Sequence, residues 1–217
     1  MYLGIYGAGG LGREILFLAQ QINAVTNRWD GFLFIDDKAQ YAELKNIHVL
    51  SFEKSKTEYD KMCIEFVIAV GEPHTRRILR EKVSGEGFSL ATLIHPSVSV
   101  SDGTKVGGGT IICCNCFVSC DVIIGENVLL QPCASIGHDT QISNDSVIST
   151  FVCVAGGCLI GEETYIGLHT SIREHINIGA QSIVGMGSVV TKDIPDQVIA
   201  LGNPARAMKK NEDHKVF

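Results

Sequence analysis

Residues 124–148 read IGENVLLQPCASIGHDTQISNDSVI. Ile124, Leu130, Ile136, Ile142 and Ile148 fall six apart, a spacing that neither the 3.6-residue turn of a helix nor the two-residue pleat of a strand produces. Counting outward, the sixth position stays aliphatic without a break from Ile94 through Val100, Val106, Ile112 and Val118, and on through Val154, Ile160, Ile166, Ile172, Ile178 and Val184 to Val190. The residue after it is often glycine (Gly107, Gly125, Gly137, Gly161, Gly167, Gly179, Gly185), and the residue four beyond it is mostly small or β-branched (Thr110, Cys116, Ala134, Thr140, Ser146, Thr164, Thr170, Ser182). The pattern predicts a parallel β-helix. Each hexapeptide forms one short flat side, with the aliphatic residue pointing into the core and the small residue filling a tight corner.

The rest of the composition narrows the partners. The 217 residues admit one large domain or two small ones, and the formal charge of -6 comes from mixed acids and bases with no basic block. That leaves no electrostatic footprint for nucleic acid or an anionic membrane, so small molecules or other proteins are the expected partners. No apolar run approaches the ~20 residues of a membrane span. The start MYLGIYGAGG lacks a charged leader region and a cleavage pattern, so a cytoplasmic chain is expected. The eight cysteines are therefore expected to be reduced. CCNC at 113–116 contains a C-x-x-C, but no second such pair or closely spaced histidine pair completes a zinc site, and no metal is expected.

Ahead of the repeat, YLGIYGAGGLGREILFLAQQI (2–22) reads as a strand, a turn carrying Gly7, Gly9, Gly10 and Gly12, and a helix. Backbone N–H groups and the helix dipole converge on a phosphate at such a turn. GFLFIDD (31–37) supplies a second strand ending in Asp36 and Asp37, where an acid could meet a ribose hydroxyl. EFVIAVG (65–71) gives a third strand ending at Gly71, and EPHTRRILREKV (72–83) opens another helix. This α/β, Rossmann-like βαβαβ unit is too short for the two halves that hold a dinucleotide, which favours a single nucleotide or a nucleotide-sugar over NAD. The alternative is that the glycines only let the helix pack on the strand.

The repeat resembles the hexapeptide-repeat acyltransferases. That resemblance implies a left-handed β-helix of triangular section, with three hexapeptides per coil, and usually a homotrimer with active sites between subunits. The domain order sharpens it. YGAGGLGRE (6–14), the DD pair, LIHPSV (93–98), an HD pair within the repeat and the closing GNPAR (202–206) are similar to sugar acyltransferases of the sialic-acid O-acetyltransferase type. They are also similar to bacterial enzymes that N-acetylate nucleotide-linked 4-amino-4,6-dideoxy sugars. The implied division is a nucleotide-sugar-binding domain at 1–93, a β-helix acyltransferase domain at 94–195 and a tail at 196–217 that completes the acetyl-CoA site. The resemblance directs the nucleotide to Gly7, Gly9, Gly10, Gly12, Arg13, Asp36, Asp37 and Gly71. It directs acetyl-CoA to Gly156, Gly157, Gly185, Gly187 and Arg206, with Lys209 and Lys210 as further cations.

In the resembled enzymes the histidine of the HD pair is the general base, which makes His138 the candidate here. Acyl transfer to an amine or hydroxyl requires removal of a proton, and neutral imidazole suits that at pH 7. Asp139 could orient the ring, although adjacent side chains need not reach each other. Family members often carry a polar residue just before this histidine and a second histidine nine residues after it, where this chain has Gly137 and Val147. Eighteen residues per coil stack Gly156 over His138 at ~4.8 Å. The Gly156 N–H is then either an oxyanion donor or merely part of a corner. Cys120 stacks beneath, which keeps a covalent acyl-enzyme as a minor alternative to direct transfer. His169 and His175 lie one repeat apart and so on different sides of the triangle, which argues against a three-histidine metal site with His138. The expected activity is acetyl-CoA-dependent N-acetylation of a nucleotide-linked amino sugar. Sugar O-acetylation is the runner-up, and a non-catalytic trimeric nucleotide-binding module is the alternative of another class.

Overall fold

The computed structural model describes residues 1–213, 215 and 216. Its N-terminal unit runs β1 (Tyr2–Tyr6), α1 (Gly10–Thr26), β2 (Gly31–Ile35), β3 (Glu43–Leu44), β4 (Ile47–Leu50), α2 (Phe52–Glu58), β5 (Ile64–Ile68), α3 (Pro73–Gly85) and β6 (Ser89–Leu90). The sheet order is β3-β4-β2-β1-β5-β6, parallel except for the β3–β4 hairpin. All five residues of β5 are buried, as in a strand covered by helices on both faces. The expected βαβαβ core is present, and the hairpin and β6 extend it. The third strand stops at Ile68, short of Gly71, with Ala69 N–H donating the last ladder bond to Tyr6 O beside the glycine turn.

From Lys105 to Val190 the chain forms two-residue strands, and the aliphatic residue of each hexapeptide is the second residue of its strand. These residues stack into one continuous inner column. Only Val100 leaves the pattern: residues 95–104 form no strand, and Pro96 has no N–H to give a ladder. The corners have their own period. Every sixth residue from Gly109 to Gly187 has positive φ, including Asn115, Asp121, Asn127, Asp139, Asp145, Glu163, His169 and His175. Asn, Asp and His tolerate that conformation best among non-glycine residues. The small corner residues do more than fit. Thr110, Ser146 and Thr164 donate their hydroxyls to Gly125 O, Gly161 O and Gly179 O at 2.7, 2.8 and 2.9 Å, satisfying carbonyls that the turn leaves unpaired.

The result is a left-handed β-helix with three parallel sheets as its faces. The first face, from Leu93–Ile94 to Ile183–Val184, carries the N-terminal unit: its outward residues Leu93, Ile111, Leu129 and Val147 are buried with Ile15, Leu18, Ala19 and Ile22 of α1. The second face runs from Phe117–Val118 to Val189–Val190, and the third from Lys105–Val106 to Asn177–Ile178. α3 lies along the corner joining the third face to the first. There the fully buried Arg76 donates to Asn127 O, Asn127 Oδ1, Ile68 O and Val70 O. Burial pulls its guanidinium down to about 10, which leaves it charged at neutral pH. Beside it Arg80 grips Asp145 with two nitrogens, at 2.9 and 2.8 Å, and Arg77 Nε lies 3.1 Å from Glu163 without hydrogen-bond alignment. The segment beyond residue 195 continues the first face. Val198–Gly202 pairs parallel with Ile183–Val184, and Ala205–Lys210 folds back antiparallel.

Candidate functional site

The glycines of the N-terminal turn divide by role. A Cβ on Gly12 would lie 1.9 Å from Gly7 O, and one on Gly7, at φ +122, would lie 2.6 Å from Ala69 O. These two glycines let the helix close on the strand, as the packing alternative held. A Cβ on Gly9 or Gly10 would meet nothing within 4 Å. Gly9 caps α1 with no side-chain hydrogen bond, so the first helical N–H groups face an open, anion-compatible turn. Arg13 is exposed one turn on, and Gly71 sits nearby with only Leu11 in reach.

The two aspartates part company. Asp36 lies against the turn, accepting from Ala8 N at 3.3 Å and Lys38 N at 2.9 Å. Asp37 accepts from Tyr6 Oη, Phe52 N and Lys82 Nζ at 2.5, 2.8 and 2.7 Å. Burial pushes the Asp37 carboxyl up, but hydrogen bonds from Lys82, Tyr6 and Phe52 outweigh it and hold the group below the usual range. Asp37 thus joins β2 to α3 and α2, and Asp36 is the carboxylate at the turn. From Gly10 a cleft of about 440 Å³ runs between α1 (Arg13, Glu14, Phe17) and the β-helix (His95, Cys114, Pro132).

His138 lies on the corner between the second and third faces, the edge of the prism opposite the docked first face. Its Nδ1 is 2.7 Å from Asp139 Oδ2, so the adjacent pair does reach. The cause is the corner conformation: Asp139 is at φ +58. A carboxylate on Nδ1 favours the tautomer that leaves Nε2 free to accept a proton. The stacking holds as well. A Cβ on Gly156 would lie 2.6 Å from His138 Nε2, so glycine leaves room for the ring. Gly157 N donates to His138 O at 2.8 Å, and the Gly156 N–H donates to no acceptor among the described residues. Cys120 lies one coil below, its carbonyl accepting from Asp139 N, and no hydrogen bond joins its thiol to His138 among the described residues.

The expected coenzyme residues are spread along the coils above. Gly185 is held by packing, since a Cβ there would meet Leu201 Cδ2 at 2.0 Å, whereas Gly187 is open at φ +69. Arg206, exposed and paired in register with Leu201, sits four to five coils above His138 in the strand order, roughly 19–24 Å along the axis at ~4.8 Å per coil. An extended ligand is needed to touch both. No group of three or more His, Cys, Asp or Glu among the described residues is arranged to hold a metal ion, and none of their helices is long and apolar enough to cross a membrane. Two features escaped the sequence reading. They are the α3 contacts with the corner of Asn127, Asp145 and Glu163, and the position of His175, whose ring lies over Gly157.

Residues 2–83 match the PglD N-terminal domain family. The acetyltransferase domain of PglB from Neisseria gonorrhoeae, in complex with acetyl coenzyme A, is 28% identical over 95% of this chain and 98% of that one, with a TM-score of 0.89. PerB from Caulobacter crescentus, in complex with CoA and GDP-perosamine, is 25% identical over 96% of this chain and 98% of that one, with a TM-score of 0.88. Galactoside O-acetyltransferase from Lactococcus lactis is 50% identical over 38 residues, so the chain spans 18% of the length of that curated relative.

Proposed function

We propose that this hexapeptide-repeat sugar acyltransferase transfers an acetyl group from acetyl-CoA to the amino group of a nucleotide-linked amino sugar, with His138 as general base. The observation that carries the reading is the His138–Asp139 pair at 2.7 Å, on an exposed corner whose next coil is cut back to Gly156. The N–H groups at the start of α1 hold the diphosphate, and Asp36 meets the nucleoside. The amine attacks the thioester carbonyl while His138 Nε2 takes its proton. The Gly156 N–H faces the oxyanion that forms. Collapse breaks the C–S bond, forming the amide and releasing CoA thiol. PglB bound to acetyl coenzyme A and PerB bound to CoA and GDP-perosamine support both substrate classes.

The architecture also supports a trimer with shared sites. The glycine turn belongs to the unit on the first face, whereas His138 is on the opposite edge, so a sugar held by one chain's turn is best served by a neighbour's histidine. Phe151, Leu168 and Met186, exposed by 51, 40 and 76%, form an apolar ridge along the corner joining the first and second faces, suited to covering by another subunit. The second reading, O-acetylation, draws on the short match to galactoside O-acetyltransferase. Incubation with acetyl-CoA and paired nucleotide-amino and nucleotide-hydroxyl sugars, with free thiol as readout, separates them. Thiol release with amino sugars alone is the expected result, and release with neither class would sink both.

A further inference from the structure

We propose that His175 is a second catalytic imidazole of this site, the acid that protonates the CoA thiolate as it leaves. The inference rests on the acyl-transfer reading above. It starts from Gly157. Positive φ does not explain a glycine there, because Asp121, Asp139 and His175 adopt the same conformation at equivalent positions of the same corner. Space explains it: a Cβ on Gly157 would lie 2.5 Å from His175 Nδ1, just as one on Gly156 would lie 2.6 Å from His138 Nε2. Two imidazoles, one rising from the coil below and one descending from the coil above, close on a single Gly–Gly peptide. The main chain fixes them there. His175 N donates to Gly156 O at 3.0 Å, and Gly157 N to His138 O at 2.8 Å.

The rings differ in their partners. Asp139 on Nδ1 of His138 orients the ring and fixes the tautomer whose Nε2 is the acceptor, which suits a base. The His175 ring makes no hydrogen bond among the described residues and has no carboxylate holding its proton. The charged and titratable groups nearest it in sequence and stacking are Arg173 and Glu174 on its own turn, His138 and Asp139 below, and Lys192 and Asp193 above, where Asp193 accepts from Asn177 N. In the step, the N–C bond forms as His138 takes the amine proton. The C–S bond then breaks with its electron pair on sulfur, and protonated His175 delivers a proton to that sulfur. Proton exchange with solvent resets both rings.

The test is leaving-group dependence. His175→Ala and His175→Gln should lower kcat with acetyl-CoA by roughly 10²-fold, the low end for a positioned acid, with KM for both substrates held and the alkaline limb of the kcat profile removed. An aryl thioester of acetate, whose thiolate leaves without a proton, should restore turnover to both His175 variants but not to His138→Ala. If the variants raise KM for acetyl-CoA at unchanged kcat, or the aryl donor rescues neither, the acid role is wrong. If His138→Ala itself retains turnover, the fault lies with the base assignment instead.

Discussion

Asp145 and Asp139 occupy the same position of the same repeat, on two corners of one β-helix, with φ of 61 and 58. One side chain is 2% exposed and the other 66%. The repeat therefore sets the backbone and leaves the fate of the side chain to whatever packs outside. Along the corner of Asn127, Asp145 and Glu163, α3 supplies Arg76, Arg77 and Arg80, so buried charge finds partners. Along the corner of Asp139 and Gly157 none of the described residues packs outside, and the same backbone presents two imidazoles to solvent. One corner uses its polar residues for docking, and the other leaves them open to solvent, where the proposed chemistry needs them.

Mutations at each corner should move different observables. His138→Ala, on the open corner, should cost roughly 10²- to 10⁴-fold in kcat while leaving the thermal midpoint in place, because Ile136 and Ile142 carry the packing; a matching drop in the midpoint would erase the contrast. Arg76→Met, on the docked corner, should do the reverse. It strands the acceptors on Asn127, Ile68 and Val70, so unfolding in urea should show a loss of about 3–5 kcal/mol. Acetyl-CoA affinity of the folded fraction should hold. Gly156→Ala sharpens the comparison, since its Cβ displaces the His138 ring, and a misplacement near 1 Å costs about 10² in kcat. The equivalent change on the docked corner, Asn144→Ala, should leave kcat alone.

The smallest effect is a pH dependence. Burial pushes the Glu163 carboxyl up, but His74, Gln181 and Arg77 outweigh it and hold it below its usual value of 4.5. A depressed folded-state pKa gives stability that is present above the unfolded value and lost as pH falls through the folded one. Glu163→Gln should therefore remove part of the stability loss below pH 4.5, and an unchanged acid limb would place that loss elsewhere.

What the sequence disclosed follows from range. The hexapeptide is a local period, so Ile94 to Val190 could be read directly, and the stack of Gly156 on His138 followed by counting. The docked face was a fainter signal carried in the same letters. Leu93, Ile111, Leu129 and Val147 are aliphatic at the outward position of every third hexapeptide, an eighteen-residue beat hidden inside the beat of six. Other features had no local signal. Arg76, Arg77 and Arg80 look alike on paper, yet only Arg76 is fully buried. Asp37 read as a ribose ligand because the side chain that occupies it, Lys82, comes from a helix 45 residues further on.

Arg77 and Arg80, three residues apart, meet Glu163 and Asp145, one coil apart. Three residues of α-helix rise ~4.5 Å and one coil ~4.8 Å, so helix and solenoid behave as two rulers with nearly equal graduations. Such rulers agree at more than one setting. Sliding α3 by one coil would set one of its two arginines against the other's acid and leave the second facing Gln181 or Asn127. The ladder alone distinguishes neighbouring rungs by a single ion pair. Arg76, clasped to Asn127, belongs to no such series. It works as a detent that tells the domain which notch it is in.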